Sequence, residues 1–254
     1  MKSIYLRLPD GKPELETGAV IVRAHLEAKG HKIIRNKTKD YDAVLCWGCG
    51  NRDPLVKAVP ALNGKVNSFN KLGALEQFKK NRVLTPVTIR GDEVKDCNNF
   101  HFYAFGPWFG RNVSHAKGKD IQVFPTWEAV EKNNVKDFYT LYVAHRRELR
   151  AWTFQGKTLA VYEKHYKNPG IENFKNLECR SELRDDLLQD KKLTGAATKA
   201  TEAINLDFGA VDMLEGNDGN YYVLETNSMP DISSMIRVSG IRLANCISKW
   251  AEAQ

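Results

Sequence analysis

Phe208-Gly-Ala-Val-Asp-Met-Leu-Glu-Gly-Asn-Asp-Gly-Asn-Tyr-Tyr-Val-Leu-Glu-Thr-Asn-Ser-Met-Pro230 reads as a β-hairpin. Val, Tyr and Leu residues flank Asp218-Gly219, a strong short-range hairpin signal. With Asp218 and Gly219 as the two loop residues, Asn217 faces Asn220 and the ladder sets Asp212 opposite Glu225. Glu225 and Asn227 are two apart and share a face, so all three side chains project from one side of the ribbon. A slip of one residue would break this arrangement, and a slip of two would keep it. Directly opposed carboxylates repel each other. A hard cation with oxygen ligands offsets that repulsion, and Asp, Glu and a neutral Asn suit Mg²⁺ shared with substrate phosphates; Mn²⁺ takes similar donors. Two readings stay open on this chemistry alone: a seat for Mg²⁺ and a nucleotide, or a solvated hairpin with ordinary surface acids.

The 254 residues suffice for one large or two to three small packed units. No apolar run approaches the ~20 residues of a membrane span. Met1-Lys-Ser-Ile-Tyr-Leu-Arg-Leu-Pro9 lacks the apolar core of a signal peptide and reads as a first strand, so a cytoplasmic location is expected. Five scattered cysteines fit a reducing compartment. Cys46-Trp-Gly-Cys49 is a CxxC, but no second ligand pair accompanies it, and Gly48, Gly50 and Pro54 favour a loop over a redox helix. The net charge of +7 is spread over the whole length, without an arginine-rich arm or finger motif. It suits an anionic substrate as well as it suits nucleic acid.

Ser3 to Leu8 alternates like a strand, Leu15 to Lys29 has helical apolar spacing and stops at Gly30, and Lys32 to Arg35 and Ala43 to Trp47 read as short strands. This start predicts a small open parallel sheet, whose ligands gather at the carboxyl ends of the strands, near the loop 48–54. A second unit begins near Ser68, with Leu72, Leu75 and Phe78 on one helix face and a strand-loop-strand over 100–124. A third begins near Tyr139, with strands at 139–143, 149–154 and 158–162, a helix near 195–204, the hairpin, and a helix over 241–253.

Several charged groups could serve the hairpin. The loop from Gly110 to Lys119 combines glycines with Arg111, His115, Lys117 and Lys119. It is no P-loop, and reads either as a phosphate cradle or as a solvated turn. Glu148 and Arg150 share a strand face, with Glu163-Lys164 at the end of the partner strand. They form either an anion site or a surface salt-bridge ladder. His115, His145 and His165 have no serine or cysteine partner in a nucleophile motif.

In this order the set resembles the ATP-grasp superfamily, and within it carboxylate-amine ligases such as the glutamate-adding ribosomal-protein ligase and D-alanine:D-alanine ligase. Asn70-Lys71-Leu-Gly-Ala-Leu followed by Val83-Leu-Thr-Pro86 resembles the helix whose lysine reaches the nucleotide phosphates. Gly110-Arg111…Lys117-Gly118-Lys119 resembles the second phosphate-binding strand and its glycine-rich lid, with Arg111 where the family usually has lysine. Leu141-Tyr142-Val143 resembles the adenine hinge, whose backbone reads the base edge, although Leu141 stands where an acid is common. Glu148-Leu-Arg150-Ala-Trp…Gly156-Lys-Thr-Leu resembles the strand pair that follows, Glu163-Lys164 the charged pair near the acyl phosphate, and Phe174-Lys-Asn176 a downstream element. Asp212, Glu225 and Asn227, closed by Pro230, match the metal-binding set.

The resemblance implies an α/β (α+β) fold: a small N-terminal open parallel sheet (1–67), then two α+β subdomains (68–138 and 139–254) sandwiching ATP. It implies ATP and Mg²⁺ as cofactors and an ATP-dependent ligase joining a carboxylate to an amine through an acyl phosphate. Metal falls to Asp212, Glu225 and Asn227. Nucleotide falls to Lys71, Arg111, Lys117, Lys119, Tyr142, Val143 and Glu148, and the chemical step to Arg150 and Lys164. The substrates are small-molecule or peptide carboxylates and amines, with an acidic macromolecular acceptor suggested by the charge and no membrane partner. The alternative is a non-catalytic basic module that holds nucleotide or nucleic acid. A polynucleotide ligase is disfavoured, since Lys164-His-Tyr-Lys lacks the Asp-Gly of that family's lysine motif.

Overall fold

Three sheets follow one another along the chain. The computed structural model describes residues 1–9, 18–35, 40–49, 59–66, 70–97, 106–113, 120–167, 179–230 and 237–254. The first sheet is wholly parallel: β1 (Ser3–Arg7), β2 (Lys32–Ile34), β3 (Ala43–Cys46) and β4 (Ala61–Leu62), in the order β2-β1-β3-β4. Helix α1 (Ala19–Ala28) connects β1 to β2, and the chain turns beyond it at Gly30, whose φ of +86° favours glycine. All four residues of β3 are buried, as a covered parallel strand requires.

The second sheet is antiparallel, with β5 (Thr88–Arg90), β6 (Trp108–Arg111), β7 (Gln122–Phe124) and β8 (Phe138–Leu141) in the order β5-β8-β6-β7. Helix α2 (Lys71–Lys80) precedes it, capped by Asn70, whose side chain accepts from the Gly73 N–H at 2.7 Å. Helix α3 (Trp127–Lys132) lies between β7 and β8. The strand expected to open the third unit therefore belongs to the second sheet. Its aromatic residues decide this: Phe138 and Tyr139 are fully buried, and Tyr139 meets Phe124 at 5.4 Å.

The third sheet is a five-stranded antiparallel array, β11-β10-β9-β12-β13. Its strands are β9 (His145–Phe154), β10 (Lys157–Tyr166), β11 (Cys179–Leu183), β12 (Phe208–Gly216) and β13 (Tyr221–Asn227). Helix α4 (Lys191–Ala203) and α2 cover one face, over Leu149, Ala151, Val161, Val211, Met213 and Val223. Helix α5 (Arg237–Glu252) and the first sheet cover the other, over Trp152, Ala160, Tyr162, Phe208 and Ala210. With both faces packed, all nine residues of the interior strand β12 are buried, and each large apolar side chain so buried contributes about 1.5–3 kcal/mol.

Asn63, fully buried at φ 57°, joins the first sheet to the third. Its side chain accepts from the Asp207 and Phe208 N–H groups (2.7 and 3.1 Å) and donates to the Phe208 carbonyl (3.0 Å).

The hairpin of β12 and β13 reaches its expected pairing by a different route. Its loop has three residues, Asn217 to Gly219: the Gly216 N–H donates to the Asn220 carbonyl (2.8 Å) and Gly219 takes φ +72°. Met213 consequently pairs with Val223, one residue out of the expected register. A β-bulge then adds Leu224, and beyond it Asp212 pairs with Glu225 and Ala210 with Asn227. The bulge lets Val223 point into the core while Glu225 points to the opposite face.

Candidate active site

Strand alternation builds one end of the third sheet's α5-side face into a grid. Ala160, Trp152, Ala210 and Asn227 form one row, Tyr162, Arg150, Asp212 and Glu225 the next, and Lys164, Glu148 and Leu214 the third. The first row is largely apolar core, and the charges begin where α5 and the first sheet no longer cover the face. Arg150 donates to both oxygens of Asp212 (2.7 and 2.8 Å). Lys164 lies 3.2 Å from Asp212 and 2.7 Å from Glu148. From α2, Lys71 reaches across to Glu225 at 2.9 Å.

These neighbours set the ionisation of the site. Burial alone would push the Asp212 carboxyl up, but Lys164 and Arg150 outweigh it and hold Asp212 well below the carboxylate range. Burial works against the charges of Arg150 and Lys164, and Asp212 with Glu148 more than restores them, so both are raised. Lys71 is lowered, by burial first and by the nearby Arg111, with Glu225 opposing. Arg111, at the end of β6, is lowered by burial despite the fields of Glu225, Asp120 and Glu148. Its buried Nε has no hydrogen-bond partner among the described residues. Lys71, Arg111, Arg150 and Lys164 thus stand against Glu148, Asp212, Glu225 and, beside Arg111, Asp120, so that among the described residues the formal charges balance.

An anion with several oxygens fits the four cations, and the orphaned Arg111 Nε offers it a donor. Asp212, Glu225 and Asn227 present the hard oxygen donors that Mg²⁺ takes together with phosphates. Among the described residues no group of three or more His, Cys, Asp or Glu forms a metal cluster by itself. Asp212 is occupied by Arg150 and Lys164, Glu225 by Lys71, and Asn227 Oδ1 by the Met229 N–H at 2.8 Å. A pocket of about 190 Å³ opens beside Lys71, Glu225 and Asn227.

The hinge residues follow β8. The Tyr142 N–H donates to the Pro107 carbonyl (2.9 Å), His145 Nδ1 sits 2.8 Å from the Val143 carbonyl, and the Tyr142 ring meets Phe109 and His145 edge-on. Glu163 departs from expectation. Alternation turns it to the face opposite Lys164, where it pairs with Arg184 and Arg147, so the two do not act as one charged pair. His165 lies at an exposed position beside Glu182. Lys117, Lys119, His115 and the Phe174 to Asn176 element lie outside the described residues. Tyr166 enters unanticipated: it shares the Lys164 face and hydrogen-bonds Glu148, and burial followed by Glu148 pushes its phenol up. Counting two residues on from Lys164 would have found it.

Residues 137–251 match the family described as RimK-like ATP-grasp domain. The chain has the ATP-grasp fold. The likeness in fold runs the full length. The ATP-grasp ligase PsnB complexed with minimal precursor superposes with a TM-score of 0.70 at 11% identity, over 99% of this chain and 98% of that one. The D-alanyl-alanine synthetase A of Vibrio cholerae O1 biovar eltor gives 0.66 at 14%, over 99% and 97%. The D-alanine--D-alanine ligase of Bacillus anthracis gives 0.62 at 15%, over 98% and 99%. No curated protein matches the chain by sequence. The ATP-grasp fold accounts for the order of sheets.

Proposed function

We propose that this protein, which has the ATP-grasp fold, is an ATP-dependent carboxylate-amine ligase that forms an amide bond through an acyl phosphate. The observation that carries the reading is the convergence of Lys71, Arg111, Arg150 and Lys164 on the Asp212–Glu225 pair from α2, β6, β9 and β10. Lys71 and Arg111 hold the phosphates of ATP, and Lys117 and Lys119 add positive charge for them. The backbone at Tyr142 and Val143 receives the adenine. Asp212, Glu225 and Asn227 would hold Mg²⁺, which when bound neutralises phosphate charge.

A substrate carboxylate oxygen attacks the γ-phosphorus, the bond to the ADP oxygen breaks, and ADP leaves. The amine nitrogen then attacks the acyl carbon, loses its proton, and phosphate departs. Arg150 and Lys164 face the negative charge that develops in both steps, already fixed by Asp212 and Glu148. Glu148, anchored by Lys164 and Tyr166, keeps that ammonium in place. No side-chain nucleophile is required.

The acceptor is a small molecule or a peptide. PsnB, whose fold this chain shares, is described in complex with a precursor peptide. The test is release of ADP with Mg²⁺ and a panel of amino acids and short peptides, an amide product being identified by mass. Asp212→Ala combined with Glu225→Ala abolishes turnover; a double variant retaining full turnover overturns the assignment.

A further inference from the structure

The CxxC of residues 46–49 has no task in the ligase reading, yet it is built into the support of the site. Cys46 ends β3 and is fully buried; Cys49 is partly exposed, its Sγ 3.4 Å from the Arg7 carbonyl. Both are reduced, and their thiols hydrogen-bond each other. That bond, then burial, pushes the Cys46 thiol up. Between them Trp47 packs on Phe208 at 5.3 Å, and Gly48 adopts φ +74° with its N–H on the Ser228 carbonyl at 3.0 Å. There is no slack at this contact: a Cβ on Gly48 would stand 2.6 Å from the Met229 Cβ. The Met229 N–H in turn donates to Asn227 Oδ1 at 2.8 Å. The dithiol loop therefore bears directly on the segment that orients the third candidate metal ligand.

We propose that Cys46 and Cys49 are a modification site, closing reversibly into a disulfide that loosens Asn227. The oxidant is a small-molecule disulfide. The more accessible Cys49, as thiolate, attacks one sulfur of the oxidant and expels one thiol. Cys46 then loses its proton and attacks Cys49 Sγ, forming the internal S–S bond and expelling the second thiol. Two protein thiols are oxidised and one disulfide is reduced to two thiols. Closure draws the ends of the loop together, and Gly48, wedged against Met229, transmits the shift.

The effect on nucleotide rests on the ligase reading; the thiol chemistry and the loosening do not. The full-length protein is equilibrated with reduced and oxidised glutathione, alkylated and digested. The expected result is a peptide bearing 46–49 lighter by two hydrogens, restored by dithiothreitol. Hydrogen exchange at the Met229 amide speeds roughly threefold to tenfold on oxidation, the loss of one net hydrogen bond. Affinity for MgADP falls about tenfold, as when a supporting partner of a metal ligand is removed. Cys46→Ser and Cys49→Ser bind MgADP like the reduced protein and form no internal bond, Cys46→Ser stopping at the Cys49 mixed disulfide. Mixed disulfides without the internal bond overturn the proposal, as does an internal bond that leaves Met229 exchange unchanged. A reduced protein that fails to bind MgADP counts against the ligase reading instead, and the mass and exchange results then decide the dithiol.

Discussion

Replacing Asp212 by Asn keeps the shape of the side chain and removes the charge on which two cations converge. The side chain is 9% exposed, with Arg150 bonded to both oxygens at 2.7 and 2.8 Å and Lys164 at 3.2 Å. Breaking a buried pair costs about 3–5 kcal/mol. Arg150 remains 22% exposed and Lys164 keeps Glu148, which places this case at the lower end, about 3 kcal/mol. That corresponds to a change of roughly 150-fold in the unfolding equilibrium, and to a fall in Tm of roughly 6–12 °C for a chain of this length. The sign with pH follows from the depressed Asp212 carboxyl. Its contribution is fully present above the unfolded value of 3.8 and is lost only as pH falls below it toward the folded value. Urea unfolding of both proteins therefore gives the same gap at pH 7 and pH 5. ADP without Mg²⁺ stabilises Asp212→Asn more than the wild type, because its phosphates meet an additional uncompensated cation. A gap under about 1 kcal/mol, the worth of an exposed pair, refutes the reasoning, and so does a gap that closes between pH 7 and 5.

Lys71→Met weakens ADP binding by roughly 10- to 100-fold in calorimetry, the worth of a charge-assisted hydrogen bond. It changes stability by less than about 1 kcal/mol, since its partner Glu225 is 40% exposed. Gly48→Ala loses about 3 kcal/mol in urea unfolding, from a side chain in the left-handed region and the collision with Met229; a loss near zero would mean that Met229 swings aside. Asn63→Ala also costs about 3 kcal/mol, since it strands buried backbone groups of Asp207 and Phe208, and protection of the Phe208 amide against hydrogen exchange falls with it.

The hairpin that carries Asp212 and Glu225 was legible because Asp218-Gly219 and the flanking alternation are local signals, as were the parallel first sheet and the helix that begins at Lys71. The length of the loop was not: Gly216 and Gly219 both relax the backbone, and a count along one strand cannot reveal a bulge at Leu224. The boundary at Phe138–Leu141 escaped because the partners that claim this strand, Phe124 and Thr88 to Arg90, are distant in sequence. The pairing of the predicted catalytic cations with the predicted metal ligands escaped for a similar reason. Residue types announce which charges can meet a phosphate, but only the grid of β10, β9, β12 and β13 shows that Arg150 and Lys164 lie against Asp212. Glu163 illustrates the reverse: adjacency in sequence suggested a pair that strand alternation forbids.

The three-residue tip and the Leu224 bulge behave like a frameshift and its suppressor. The tip throws the return strand out of phase by one residue, and the bulge restores the frame before Glu225 is reached. Between the two, only Tyr221 to Val223 read in the shifted phase, and there the shift is used to bury Tyr221 and Val223. The tip can therefore gain or lose a single residue without moving the acid pair only if the bulge changes with it. A relative with a two-residue tip and no bulge would keep the acid pair opposed with the same number of residues between the acids, so its sequence could align to this one without a gap and still fold in the other phase.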